Sequence, residues 1–304
     1  MPPRPQNPPL PRGVPHPRNR HYDRYDFPAL LRASPALAAF VIPHPLGGDT
    51  IDFTSAAAVL ALNRALLLAD YGLTTWEIPP GYLCPSVPGR ADYLHYAADL
   101  LVSADGTLPR GPAHTVLDIG VGANAIYPII GVHDYDWRFV GSDVDPVALR
   151  SAEHIVAANT ALAGRVDCRL QTAPTAIFHG VIRPAENFVL TLCNPPFHAS
   201  LAAATAGPRR RQTLPAPRTT TPHFGGQPNE LWCPGGEPAF LARLIAESAD
   251  FASQVHWFTT LVSSRGHLPA LTRALERVRA TTVRILPLGQ GQKQSRLLAW
   301  NFRS

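Results

Sequence analysis

The chain has 304 residues, 45% of them hydrophobic and 16% charged, which is enough apolar material for one large core or two modest ones and excludes disorder throughout. No stretch supplies the ~20 uncharged apolar residues of a membrane span; the best candidate, 59–73, is interrupted by Asn63, Arg64 and Asp70. The net charge of +5 is carried almost wholly by arginine, Lys293 being the only lysine, a skew that suits a polyanionic partner but also follows from coding bias.

Residues 1–17 contain eight prolines and almost nothing apolar, so they read as an extended leader that cannot contribute to a core. They lack the apolar core of a secretory signal, and their prolines break an amphipathic transit helix; the expectation is a cytoplasmic protein. The arm that follows, His16-Pro-Arg-Asn-Arg-His-Tyr-Asp-Arg-Tyr25, interleaves Arg18, Arg20 and Arg24 with tyrosines. That composition suits phosphate neutralisation and base stacking, or an arm that staples onto the domain. Helices are predicted over 29–40, over 54–73 with Thr54 as cap, and from about 91 to 103. Gly106, Pro109, Gly111 and Pro112 then break the pattern, so 18–112 reads as a helical N-terminal module.

From residue 113 to 304, short apolar runs alternate with helical ones. Strands are predicted at 115–119, 138–142, 166–171, 187–193, 255–262, 281–286 and 296–302, with helices at 124–131, 146–160, 237–252 and 267–279. The pattern predicts an α/β, Rossmann-like, doubly wound and mostly parallel sheet, with one of the last two strands antiparallel because no helix separates them. Ligands of such sheets sit at the strand C-termini. The cysteines Cys84, Cys168, Cys193 and Cys233 form no CxxC pair, and the histidines never fall at HxxxH spacing, so neither disulfide nor metal is expected.

Two segments carry chemistry. Thr115-Val-Leu-Asp-Ile-Gly-Val-Gly-Ala-Asn-Ala125 is a strand entering a glycine turn and then a helix, with Asp118, Gly120, Gly122 and Asn124 in the turn. Asp143 ends the next strand about twenty residues on, where a carboxylate can accept from ribose hydroxyls. The pattern fits a dinucleotide as well as S-adenosylmethionine. The second segment, Asn187-Phe-Val-Leu-Thr-Leu-Cys-Asn-Pro-Pro-Phe197, is an apolar strand stopped by Asn194-Pro195-Pro196-Phe197. Two prolines remove two backbone donors and stop the strand. The Asn194 side-chain oxygen and the Pro195 carbonyl can then hold the hydrogens of an exocyclic amine, with Phe197 stacked on the base.

In this order, the glycine turn, the acidic strand end and NPPF resemble class I S-adenosylmethionine-dependent amino-methyltransferases. Further segments are similar to the bacterial ribosomal RNA large subunit methyltransferase F family: 16–21 HPRNRH, 88–93 PGRADY, 117–124 LDIGVGAN, 126–128 IYP, 193–198 CNPPFH, 224–227 FGGQ, 230–233 ELWC, 235–237 GGE and 291–296 GQKQSR. The resemblance covers nearly all of 16–302. It implies transfer of a methyl group from S-adenosylmethionine to the N6 amine of one adenine of 23S ribosomal RNA, by a chain with an N-terminal RNA-binding module. It also implies that Arg90 reaches the cofactor's carboxylate or closes over it, that Gly120 and Gly122 underlie its methionine moiety, with Asp118 and Asn124 beside them, and that Asp143 binds the ribose. Close relatives often have glutamate at position 143 and cysteine at position 125, where this chain has Ala125. Segment 171–175 falls near the expected adenine position but matches poorly.

Outside the core, 199–228 is a long insertion with Arg209, Arg210 and Arg211, either an RNA-ordered loop or a solvated one. Lys293 and Arg296 offer a phosphate contact or lie on a plain hairpin. Glu237 reads as a helix-end charge and Trp232 as packing. The alternatives are guanine-N2 methylation of ribosomal RNA, methylation of a protein glutamine amide, a dehydrogenase, which leaves NPPF without a purpose, and a noncatalytic RNA binder. The expected partner is 23S ribosomal RNA or a large-subunit assembly intermediate; the sequence is silent on oligomeric state.

Overall fold

The computed structural model describes residues 15–21, 23–200, 226–290 and 293–303. The leader to residue 14 and the Arg209–Arg211 triplet therefore lie outside the described residues.

Helix α1 (Phe27–Ala33) starts on the Asp26 carboxylate, which accepts from the Ala29 amide at 3.0 Å. Ser34 ends it, and a 3-10 turn (Pro35–Phe40) follows, because a proline inside a continuous helix would cost a hydrogen bond. The single helix expected over 29–40 is thus two pieces. A small hairpin, β1 (Val41–Pro43) and β2 (Asp49–Ile51), was not foreseen. Helix α2 (Ala56–Asp70) is capped by Ser55, whose Oγ accepts from the Ala58 amide at 3.3 Å. The expected cap, Thr54, turns its hydroxyl to Asp52 at 2.7 Å instead. Helix α3 (Val87–Ala98) begins earlier than expected, with Pro88 in its first turn, where a missing N–H costs nothing.

The second half follows the expected alternation closely: β3 (Thr115–Ile119), α4 (Ile126–Tyr135), β4 (Arg138–Asp143), α5 (Pro146–Ala158), β5 (Val166–Leu170) and β6 (Phe188–Cys193). A short helix α6 (Pro228–Leu231) was not expected; then come α7 (Gly236–Ser248), β7 (Val255–Val262), α8 (Leu268–Arg277), β8 (Thr282–Gln290) and β9 (Lys293–Asn301). The seven-stranded sheet has the order β5-β4-β3-β6-β7-β9-β8. All its neighbours are parallel except β9, which pairs antiparallel with both β7 and β8.

Alternation along the strands divides the core. Val116 faces one side, with residues of α2, α3, α4 and α5, while Leu117 and Ile119 face the other, with α7 and α8. The first of these cores runs unbroken from Phe27 through the sheet to Ala299, so the N-terminal helices share their packing with the sheet. The chain order reverses between β3 and β6, the crevice where open α/β sheets bind ligands. In register, Ile119 pairs with both Ser142 and Cys193, which sets the glycine turn, Asp143 and Asn194 side by side. Among the described residues, no helix is long and apolar enough to cross a membrane.

The arm at 16–21 is fastened to this body. The Asn19 side chain and the His16 amide both donate to Asp92 on α3, at 2.6 and 2.8 Å. Arg18 bonds Asp99 at 2.6 Å and the Tyr135 hydroxyl at 3.1 Å, and Arg20 bonds Asp134 and the Asp70 carbonyl, each at 2.6 Å. Arg24 makes one long contact, to the Gly47 carbonyl at 3.4 Å.

Helix α4 packs on β4 through Gly131, where an added Cβ would run into the Phe139 ring. Gly131→Ala is expected to lower stability by about 1–3 kcal/mol through overpacking. Urea unfolding checks this, and an unchanged midpoint would contradict the packing described.

Candidate active site

A cavity of about 460 Å3 opens at the β3–β6 switch point. Arg90, Gly120, Gly122, Asn124, Asp143, Asn194 and Pro196 all line it, so residues far apart in sequence meet at one place. Segment 171–177 contributes Gln171, Pro174 and Thr175 to the wall despite its poor motif match. Pro195 is buried behind the lining, and Phe197, 39% exposed, lies outside it. Asn124 is partly committed to the turn itself: its side-chain oxygen accepts from the Ile126 amide at 3.1 Å. Lys293 and Arg296 sit on β9, Lys293 opposite Gln290 and Arg296 opposite Val262 and Pro287.

The glycine turn follows β3 with φ of +75° at Gly120 and +64° at Gly122, left-handed values that glycine adopts without strain. The amides of Gly120 and Val121 both donate to the Ser142 carbonyl at 2.9 Å, and that of Gly122 donates to Asp143 Oδ2 at 2.9 Å. Three successive amides are therefore spent inside the protein. A pyrophosphate needs such amides free, so the turn does not suit the dinucleotide of a dehydrogenase.

Charge around the turn points the same way. Asp118 is buried, with neither carboxylate oxygen partnered among the described residues. Burial pushes its carboxyl well above the usual carboxylate range, the Asp143 charge adds to that rise, and Arg90 opposes it. Burial also raises Asp143, against the pull of the Asp145 and Gly122 amides. Glu230 is raised by burial too, with Asp143 and Asp145 adding to the effect. At the turn, Asp143 and Glu230, with Asp118 buried beneath, stand around Arg90 and favour a cationic group of the ligand there, while Arg243 lines another part of the cavity. S-adenosylmethionine, with its ammonium and sulfonium groups, fits these residues.

Glu230 is a member of this wall that the sequence did not single out. Its Oε2 accepts from the amides of Leu83 at 3.0 Å and Gln227 at 2.7 Å, tying α6 to the proline-rich loop before α3. Tyr93 is a second omission. Fully buried, it accepts through its hydroxyl from the Cys193 amide at 3.1 Å and pairs with Thr259 Oγ1 at 2.8 Å. Its ring meets Tyr127 edge to face at 5.4 Å, and Arg90 lies against Tyr127, with a bond of 3.2 Å to the hydroxyl. The PGRADY segment thus divides its work: Arg90 faces the cavity, Asp92 anchors the arm and Tyr93 fixes the strand end next to Asn194. The sequence signals for Tyr93 are its place at the end of the family-like PGRADY segment and its position three residues after Arg90 on a helix.

The Asn194 side-chain oxygen is itself buried without a partner among the described residues. Glu237, read from sequence as a helix-end charge, does something else: its carboxylate accepts from the Ser263 amide at 2.8 Å, from Ser263 Oγ at 3.0 Å and from His267. It ties the start of α7 to the loop after β7. Trp232, expected to pack, lines the cavity.

A model of a family described as RNA methyltransferase matches residues 12–304. A relative from Pseudomonas aeruginosa PAO1, named ribosomal RNA large subunit methyltransferase F, is 54% identical over 293 residues, covering 94% of this chain and 87% of the relative. One of the same name from Pseudomonas putida KT2440 is 53% identical, covering 94% and 92%. Among solved structures, the human METTL16 catalytic domain in complex with MAT2A 3′UTR hairpin 1 aligns with a TM-score of 0.83 and 27% identity, covering 96% of each chain. The N-terminal domain of human METTL16 in complex with SAH aligns at 0.74 and 26%, covering 95% and 99%.

Two outcomes follow from these contacts. Because the folded state raises the Asp118 pKa, it binds that proton more tightly than the unfolded chain, so the cofactor-free protein loses stability as pH rises from the ordinary carboxylate range toward the elevated value. Asp118→Asn is expected to remove that loss and to weaken S-adenosylmethionine binding; urea melts across pH and calorimetric titration test the pair, and a less stable apo-variant at pH 7 would contradict it. Tyr93→Phe leaves the Cys193 amide buried and unpaired, which costs about 1–3 kcal/mol. Unfolding measurements should show that loss, together with a lower turnover.

Proposed function

The chain belongs to the RNA methyltransferase family whose model spans residues 12–304, and from that membership we propose that it methylates the N6 amine of an adenine in 23S ribosomal RNA. It is an S-adenosylmethionine-dependent RNA methyltransferase. The names of its relatives support ribosomal RNA of the large subunit as substrate; work in the cytoplasm, on free RNA or an assembly intermediate, belongs to the same proposal.

S-adenosylmethionine supplies an electrophilic methyl group. Asp143 keeps acceptor capacity for ribose hydroxyls, Asp118 balances positive charge under the turn, and Arg90 meets the carboxylate. The observation that carries the proposal is the unpartnered, buried Asn194 oxygen in the same cavity as this cation-favouring wall. A buried acceptor without a partner is costly, so it is kept for a donor that arrives with the substrate. An aromatic amine is a poor nucleophile because its lone pair is delocalised into the ring. In the proposed reaction Asn194 Oδ1 accepts one of its hydrogens and the carbonyl of Pro195, a residue buried just behind the lining, accepts the other, which favours a pyramidal nitrogen with its lone pair turned out of the ring plane. The proton becomes acidic only after transfer, so no strong base is needed beforehand. Phe197, exposed beside the cavity, is placed to stack on a base flipped out of its helix.

In the same proposal, RNA phosphate contacts are assigned to Arg24 and Arg296; those assigned to Lys293 and to the 209–211 triplet involve side chains outside the described residues. Arg18 and Arg20 hold the arm to the body and retain an exposed face of about a third each, so their contribution to RNA affinity is secondary to stapling.

Asn194→Ala is expected to lower methyl transfer on the order of 100-fold or more, by analogy with loss of one preorganised oxyanion donor, while RNA and cofactor affinity change little. Labelled S-adenosylmethionine, unmodified 23S RNA and nucleoside mass spectrometry provide the test. Labelled N6-methyladenine from the wild type supports the proposal; N2-methylguanine, or equal loss of binding and transfer in the variant, would overturn it.

A further inference from the structure

Besides Asn194, the cavity lining includes Trp232, Cys233, Pro234, Phe240 and Arg243. Trp232 is rigidly placed: its amide donates to the Pro228 carbonyl at 2.9 Å, and its neighbours are laced to His198, the residue after Phe197, by bonds of 3.0 and 3.1 Å. Among these lining residues, Trp232 Nε1 is buried without a hydrogen-bond partner, and so is Arg243 Nε, while the rest of the Arg243 guanidinium is engaged by Cys233 and lies against the Phe240 ring. An indole N–H and a guanidinium can only donate. The lining of one cavity therefore includes an unpaired acceptor at Asn194 and two unpaired donor atoms.

We propose that Trp232 and Arg243 read the target base, donating to the two ring nitrogens that flank the amine held by Asn194. The inference rests on the adenine reading above and supplies a reason for it. Adenine carries its exocyclic amine between two acceptors, N1 and N7. Guanine flanks its N2 amine with one acceptor, N3, and one donor, the N1–H. Cytosine offers N3 on one side and a C–H on the other. Adenine alone satisfies a donor on each side of the amine, and a base that leaves a buried donor unpaired is rejected. The remaining bases either lack an exocyclic amine or face a donor with a donor.

The test uses the full-length protein and 23S RNA assembled by ligation, carrying adenosine, 1-deazaadenosine or 7-deazaadenosine at the nucleotide that the wild-type enzyme methylates. Trp232→Phe keeps the aromatic packing and removes the N–H; Arg243→Met keeps the aliphatic stem. The wild type is expected to lose about tenfold or more in kcat/KM on each analogue. Each variant should lose a similar factor on adenosine and nothing further on one of the two analogues, with SAH affinity unchanged. Wild-type rates in both variants on adenosine, or analogue losses that persist undiminished in both, would overturn the assignment. If the wild type labels no adenine in 23S RNA, the adenine reading itself fails and this assignment falls with it.

Discussion

Strand β6 has to stop at Cys193, because two prolines follow within three residues and neither can donate to a sheet. Stopping a central strand leaves its last amide without an obvious partner in a dry interior. The Tyr93 hydroxyl takes that amide and, through Thr259, ties β6 to β7 at the level of the site. Asn194 is the next residue, and the helix that carries Tyr93 also carries Arg90 into the cavity lining and Asp92 out to the arm. The HPRNRH arm is bonded to the same helix. By fastening α3 to α2 and α4, it fixes the position from which Tyr93 and Arg90 work.

The cavity is organised by what it leaves unpaired. At one end, carboxylates gather around a glycine turn whose own amides are already used, an arrangement that favours a cation over a pyrophosphate. In the same lining, the Asn194 oxygen, Trp232 Nε1 and Arg243 Nε are buried without partners among the described residues. Each group costs stability in the free protein and recovers it only with the correct ligand, which couples affinity to recognition. Glu230 and Glu237 carry no such vacancy. They brace the 226–237 segment, one against the loop before α3 and the other against the loop after β7, so that Trp232 and Asn194 face the same space.

Features that depend on local backbone demands were legible in the sequence. A strand entering Gly120 and Gly122, an acid at the end of the following strand, and a strand cut off by Pro195 and Pro196 each read directly as geometry, and the switch-point rule then brought them together. Features that depend on tertiary adjacency were not. Tyr93 and Trp232 are aromatic residues in apolar surroundings, and nothing in the sequence separates a packing ring from one whose polar atom has a task. Glu237 reads as a helix-end charge because Ser263 and His267, which it holds, come from another element. The β1–β2 hairpin has three residues per strand, too few for an alternation to register, and the helix boundaries moved by a few residues wherever Ser55 or Pro88 supplied a start that Thr54 or Ala91 did not.

The account rests on Asn194 Oδ1 being reserved for the amine of the substrate. A crystal structure of the protein with SAH and an RNA fragment containing the methylated nucleotide tests this most directly. The account predicts the adenine N6 within about 3 Å of Asn194 Oδ1, a hydrogen-bond distance, with the base extending toward Trp232. A base seated elsewhere, with Asn194 Oδ1 bonded inside the protein, would contradict it.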